Sequence, residues 1–139
     1  RSRGVSLVVG HGYSSSKQNL DLLCNFLAGH GFAAYSLDFP GHKLGASGGH
    51  LRSLEDLVES MLRVYDLARG ERPGPVYVIG HSMGAFTALL AGAVEPGIAG
   101  VVSIATGIGR IADRTFFSRR YSANALLYAA AKRSARAMM

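Results

Sequence analysis

The sequence predicts an α/β fold, a mostly parallel sheet with helices on both faces. Three observations carry that expectation. Short continuous apolar runs, the mark of strands buried on both sides, recur along the chain. Longer stretches with helical apolar spacing lie between them, and the two kinds alternate. The composition, 48% hydrophobic with 18 glycines and 4 prolines in 139 residues, is that of a globular chain rather than a disordered one.

The first strand is expected at residues 5–9 (VSLVV). Ser14, Ser15 and Ser16 then offer N-caps for a helix in which Leu20, Leu23 and Leu27 share a face, with Leu22 and Phe26 beside it. Gly31 stands where a C-terminal cap is expected. Residues 32–37 (FAAYSL) read as the second strand, followed by a glycine-rich loop, DFPGHKLGASGGH. Ser53 and Asp56 resemble a capping box opening a second helix, whose stripe is Leu54, Leu57, Met61, Tyr65 and Ala68 and whose end is set at Gly70. After the turn RPGP come a third strand at 76–79, an almost wholly apolar helix at 84–94 and a last strand at 98–105. The pattern is β-α-β-α-β-α-β, with right-handed crossovers expected.

Charge is unevenly spread. Eight basic and eight acidic residues balance up to Gly109, whereas from Arg110 onward seven basic residues face Asp113 alone, which accounts for the net +6. Such a tail can meet phosphates or an anionic membrane, although a solvated helix face explains it more simply. No apolar run is long enough to span a bilayer, and Cys24, the only cysteine, excludes an internal disulfide. A reducing, cytoplasmic location is the expectation. The chain opens at Arg1 almost directly in a strand and stops at Met139 within a helical pattern, which reads as part of a longer protein.

The stretch VYVIGHSMGAFTALLAG sets a serine between two glycines where a strand passes into a helix. Small residues two before and two after the serine, Gly80 and Gly84, let so tight a turn avoid its neighbours. The turn lifts the Ser82 hydroxyl above the carboxyl edge of the sheet and aims the first free N–H groups of the following helix at whatever the serine attacks. If strand order reverses between the first and third strands, the loops after both open into one crevice.

With these residues the chain resembles the α/β-hydrolase family, and within it the capped esterase, monoacylglycerol-lipase and serine-aminopeptidase branch. The resemblance runs from about Val5 to Thr106. GHSMG resembles the nucleophile elbow, which implies Ser82 as nucleophile and an acyl-enzyme formed on it. VVGHGYSSS resembles the oxyanion loop, implying backbone N–H donors at Tyr13 and Met83. LDFPGHKLGASGG resembles the loop after the family's fourth strand but carries Lys43 in place of a glycine, and no function is transferred to it. On this reading 1–109 is the N-terminal part of the hydrolase core and 110–139 begins a helical cap or connecting segment. Phe116, Phe117, Leu126, Leu127 and Tyr128 suit such a cap, and a basic helix lying on a membrane is its rival.

One part is missing. A serine nucleophile needs a base held by a carboxylate, and this fold orders them Ser, then Asp or Glu, then His. The histidines are His11, His30, His42, His50 and His81, and none follows Ser82. His11 resembles the loop histidine that shapes the oxyanion loop; His81 should point away from Ser82; His30 suits a helix C-terminus; His42 and His50 flank the glycine-rich loop. Asp113 lies where some members place their acid, but a surface charge beside Arg110 and Arg114 explains it as well. The acid and histidine are therefore expected beyond Met139.

The leading expectation is a serine hydrolase acting on a small or lipid-like acyl ester, thioesters and amides remaining open. Its rival is a non-catalytic binding protein that keeps the fold without the base. A nucleotide-binding domain would need G-x-G-x-x-G after the first strand or a G-K-[ST] loop, and TGIGR near Gly107 is too short. No cysteine–histidine cluster has metal-ligand spacing, no cofactor is implied, and no basic–aromatic platform points to nucleic acid.

Overall fold

The computed structural model describes residues 2–45 and 50–106. The expected cap segment at 110–139, with Asp113 and the TGIGR stretch from Gly107 on, lies outside the described residues. The elements are β1 (Ser6–Gly10), α1 (Asp21–Gly29), β2 (Ala33–Leu37), α2 (Leu54–Glu71), β3 (Val76–His81), α3 (Met83–Val94) and β4 (Gly100–Ile104). The four strands form one parallel sheet in the order β2-β1-β3-β4. Chain order thus reverses between β1 and β3, the switch point where α/β sheets open a crevice at their carboxyl edge.

Alternate side chains of each strand serve opposite faces. Val8, Leu37, Val76 and Val78 meet α2 and α3 in the larger cluster, where Met61, Tyr65, Ala88 and Ala91 are essentially inaccessible. Leu7, Val9 and Ile79 point the other way and meet Leu20, Leu23 and Leu27 beneath α1. The face read for the first helix is therefore the packed one, while Leu22 and Phe26 stand 85% and 61% exposed on its outer side. Outer β4 leaves Val102 and Ile104 exposed.

Helix ends follow local chemistry, with three departures from expectation. The serines do not start α1 directly: Ser16 precedes a 3-10 turn, Lys17–Leu20, without a side-chain cap, and α1 begins at Asp21. At its other end Gly31 has φ 88° and donates to the Ala28 carbonyl. Ser53 caps α2 as read, its hydroxyl accepting the Asp56 N–H at 3.2 Å. α2 runs through Gly70 to Glu71, however, and stops because Arg72 precedes Pro73 and takes an extended backbone. β4 is shorter than the 98–105 run: Ile98 closes the turn before it by donating to the Glu95 carbonyl, and Ala105 leaves the strand at φ 52°. No described helix is long and apolar enough to cross a membrane.

Candidate active site

Register brings the critical loops together. Gly10 at the end of β1 stands level with Gly80 of β3, so Gly12 and Ser82, each two residues further, emerge side by side. A Cβ placed on Gly12 would lie 3.4 Å from Ser82 Cβ and 3.1 Å from His81 Nδ1. The loop after β1 therefore rests directly on the turn between β3 and α3.

That turn is strained at one residue. Ser82 has φ 54° and ψ −113°, a region L-residues avoid, at a cost on the order of 1–3 kcal/mol. Its neighbours hold it there. The Ser82 N–H donates to the Ile104 carbonyl at 2.9 Å, its carbonyl accepts the Phe86 N–H at 3.1 Å, and its hydroxyl caps nothing. Gly80 and Gly84 are in backbone contact: a Cβ on Gly80 would collide with the Gly84 carbonyl, and one on Gly84 with the carbonyl oxygens of Gly10 and His11. Gly84 lets α3 start against the end of β1, and Gly80 lets β3 pass beneath α3.

Two N–H groups belong to the turn and to the loop that rests on it. Met83 is the first residue of α3, so its N–H has no partner within the helix. Tyr13 lies in the β1 loop and is 73% exposed. Among the described residues neither N–H meets an acceptor. The Gly12–Tyr13 peptide is fixed from its other side, because the Gly12 carbonyl accepts from His11 Nδ1 at 2.7 Å and from the Ser15 N–H at 3.2 Å. A trans peptide sets C=O and N–H opposite one another, so pinning the Gly12 oxygen also sets the direction of the Tyr13 N–H.

His11 is fully buried and bonded at both ring nitrogens. Nδ1 donates to Gly12, and Nε2 accepts the Phe39 N–H at 3.1 Å, which requires the neutral ring. Asp38 Oδ1 stands 4.0 Å from Nε2, but a ring nitrogen that is already an acceptor makes no ion pair there. Burial lowers the His11 pKa from its ordinary 6.5; the Gly12 bond opposes this, His42 adds to it, and Asp38 opposes it. The neutral ring is thus favoured on folding. Its contribution is complete above pH 6.5 and declines as pH falls below that value, where the unfolded chain takes up the proton first. Denaturant midpoints measured from pH 7.5 to 5.5 are expected to fall, and the fall to shrink in His11→Gln; equal slopes in both proteins would contradict this.

The other histidines are occupied differently. His30 Nδ1 donates to the Phe26 carbonyl at 2.8 Å at the end of α1. His42 is buried, donates from Nδ1 to Pro40 at 3.1 Å and meets the Tyr13 ring edge-on at 5.6 Å. His81 is exposed beside Gly12, and His50 is exposed before α2. Lys43, set where the resembled motif has glycine, takes φ 39°, a left-handed backbone at a strain of roughly 1–2 kcal/mol. Sequence reasoning gave Asp38 no role. The carboxylate nevertheless leaves the carboxyl end of β2 with only 5% of its side chain exposed. The signal was a charge directly after an apolar strand, at the edge where α/β sheets place their sites.

Comparison with known proteins identifies the family. The family model "Serine aminopeptidase, S33" matches residues 2–137. The chain is 36% identical over 99 residues to the monoacylglycerol lipase of Mycolicibacterium smegmatis, covering 68% of this chain and 34% of that protein. It is 33% identical over 103 residues to human monoglyceride lipase, covering 70% and 33% respectively. It therefore spans about a third of the length of these relatives. Among solved structures, Paleococcus ferrophilus monoacylglycerol lipase superposes with a TM-score of 0.61 at 26% identity, over 69% of this chain and 36% of that one. Est1E from Butyrivibrio proteoclasticus shares the fold with a TM-score of 0.64 at 22% identity, over 70% and 41%. The chain belongs to the serine aminopeptidase S33 family of α/β hydrolases.

Proposed function

We propose that the protein hydrolyses a carboxylic ester, of a monoacylglycerol or similar lipid-like acyl compound, through an acyl-enzyme on Ser82. The observation that carries this reading is the strained Ser82 turn, against which the Gly12–Tyr13 loop rests, with the Tyr13 and Met83 N–H groups unpartnered among the described residues. Ser82 Oγ attacks the acyl carbon, and the carbonyl π electrons move to oxygen. The resulting oxyanion accepts the two N–H groups, the largest kind of single contribution in such reactions. Collapse expels the alkoxide, which leaves as the alcohol with the proton taken from Ser82, and water then releases the acid. The relatives' names, monoacylglycerol and monoglyceride lipase, support the substrate class.

The base that carries the proton is not supplied in the family's order by these 139 residues, since no histidine follows Ser82. We assign the base and its carboxylate to sequence outside this chain. The rival reading is a binding protein that keeps the fold without turnover. A fluorophosphonate probe separates the two in the full-length protein. Hydrolase action predicts a covalent mass gain mapping to the peptide that holds Ser82; folded protein that gains no mass supports binding alone.

A further inference from the structure

The loop that carries Tyr13 is tied at both ends to two consecutive residues, Asp38 and Phe39, at the carboxyl end of β2. Upstream, the Phe39 N–H reaches His11 Nε2 at 3.1 Å, and His11 Nδ1 holds the Gly12 carbonyl at 2.7 Å. Downstream, Asp38 Oδ1 accepts the Lys17 N–H at 2.8 Å, where the 3-10 turn begins. Tyr13 lies between these ties, in a segment that includes Ser14 at φ 57° and therefore does not hold its shape through favourable backbone alone. Asp38 is costly to bury, and Oδ2 has no hydrogen-bond partner among the described residues, with Lys17 Nζ at 3.9 Å. A carboxylate kept in such a place, with one backbone N–H as its hydrogen-bond donor and the ammonium of the same residue nearby, has a positional use.

We propose that Asp38 is a positioning residue for the Tyr13 N–H, fixing the downstream end of the oxyanion loop as His11 fixes the upstream end. The inference rests on the reading of Ser82 and Tyr13 above. It assigns a use to the DFPGH segment that its sequence did not disclose. Since misplacement of a contributing group by about 1 Å can cost a hundredfold in rate, the loss belongs in kcat rather than in KM.

The test uses the full-length protein and four variants. Asp38→Ala removes the acceptor, and Asp38→Asn keeps an acceptor oxygen. Lys17→Pro removes the donor while leaving Asp38 in place; Ser16 already has the extended backbone that proline demands of its predecessor, and Lys17 is the first residue of its turn. Lys17→Ala keeps the N–H. D38A and K17P are each expected to lower kcat by about ten- to a hundredfold with little change in KM, whereas D38N and K17A retain most of it. Unchanged kcat in D38A and K17P, a loss confined to KM, or D38N as impaired as D38A would overturn the proposal.

Hydrogen exchange reads the tether without any reaction, so it still decides if the wild-type protein proves inactive and the hydrolase reading fails. Amides in the peptide covering residues 11–19 are expected to exchange faster in D38A than in wild type while those of β3 are unchanged. Equal exchange at 11–19 overturns the tether.

Discussion

Ser82→Ala is expected to lower ester turnover by about a million-fold while leaving the protein folded, because removing the nucleophile of such a site costs about as much as removing all of its catalytic side chains. Its folding should survive for a structural reason. The Ser82 hydroxyl caps no helix N–H, and the turn is held through the backbone to Ile104 and Phe86. Alanine bears the same positive φ at similar strain, so the variant neither gains nor loses much at that dihedral. Initial rates on a short-chain monoacylglycerol, with thermal unfolding measured in parallel, check both halves. Near-normal turnover in S82A would sink the assignment of Ser82, and an unfolded S82A would contradict the account of what holds the turn.

The second large effect concerns stability. Gly84→Ala drives a methyl group into the carbonyl oxygens of Gly10 and His11, which belong to a central strand and its loop and have nowhere to go. The expected loss is about 3 kcal/mol or more, as for severe overpacking. Gly70→Ala makes the same chemical change with the opposite sign. Gly70 is the penultimate residue of α2 with nothing near its hypothetical Cβ, so the substitution should stabilise by up to about 1 kcal/mol through helix propensity. Denaturant unfolding of the two variants side by side separates collision at the elbow from any general effect of replacing glycine. A G84A protein as stable as wild type would mean that α3 does not start against β1.

The two glycines also show why part of the site was legible. The need for small residues around Ser82 arises within five consecutive positions, so the sequence displays it directly. The strands were legible for a similar reason, since apolar runs of four to six residues announce burial on both faces. The reversal of strand order between β1 and β3 entered only as a condition for the two loops to share one crevice, and the sheet has that order.

What escaped was decided at a distance or by competition between signals. The His11 bond to Phe39 spans 28 positions and the Asp38 bond to Lys17 spans 21, separations at which no periodicity speaks. The serines before α1 looked like caps, but the chain there is committed to the loop tied to β2, and the helix begins only once that tie is made. Gly70 looked like a stop, yet a lone glycine costs a helix only about 1 kcal/mol, and Pro73 ends it instead. Lys43 shows the reverse case: a non-glycine residue takes φ 39° there, which the residue type alone did not announce.

A crystal structure of the full-length protein after fluorophosphonate treatment tests the central claim most directly. The phosphorus should be bonded to Ser82 Oγ, with the phosphonyl oxygen about 2.7–3.1 Å from both the Tyr13 and the Met83 nitrogens. Phosphorus on another side chain, or a phosphonyl oxygen turned away from both N–H groups, would contradict it.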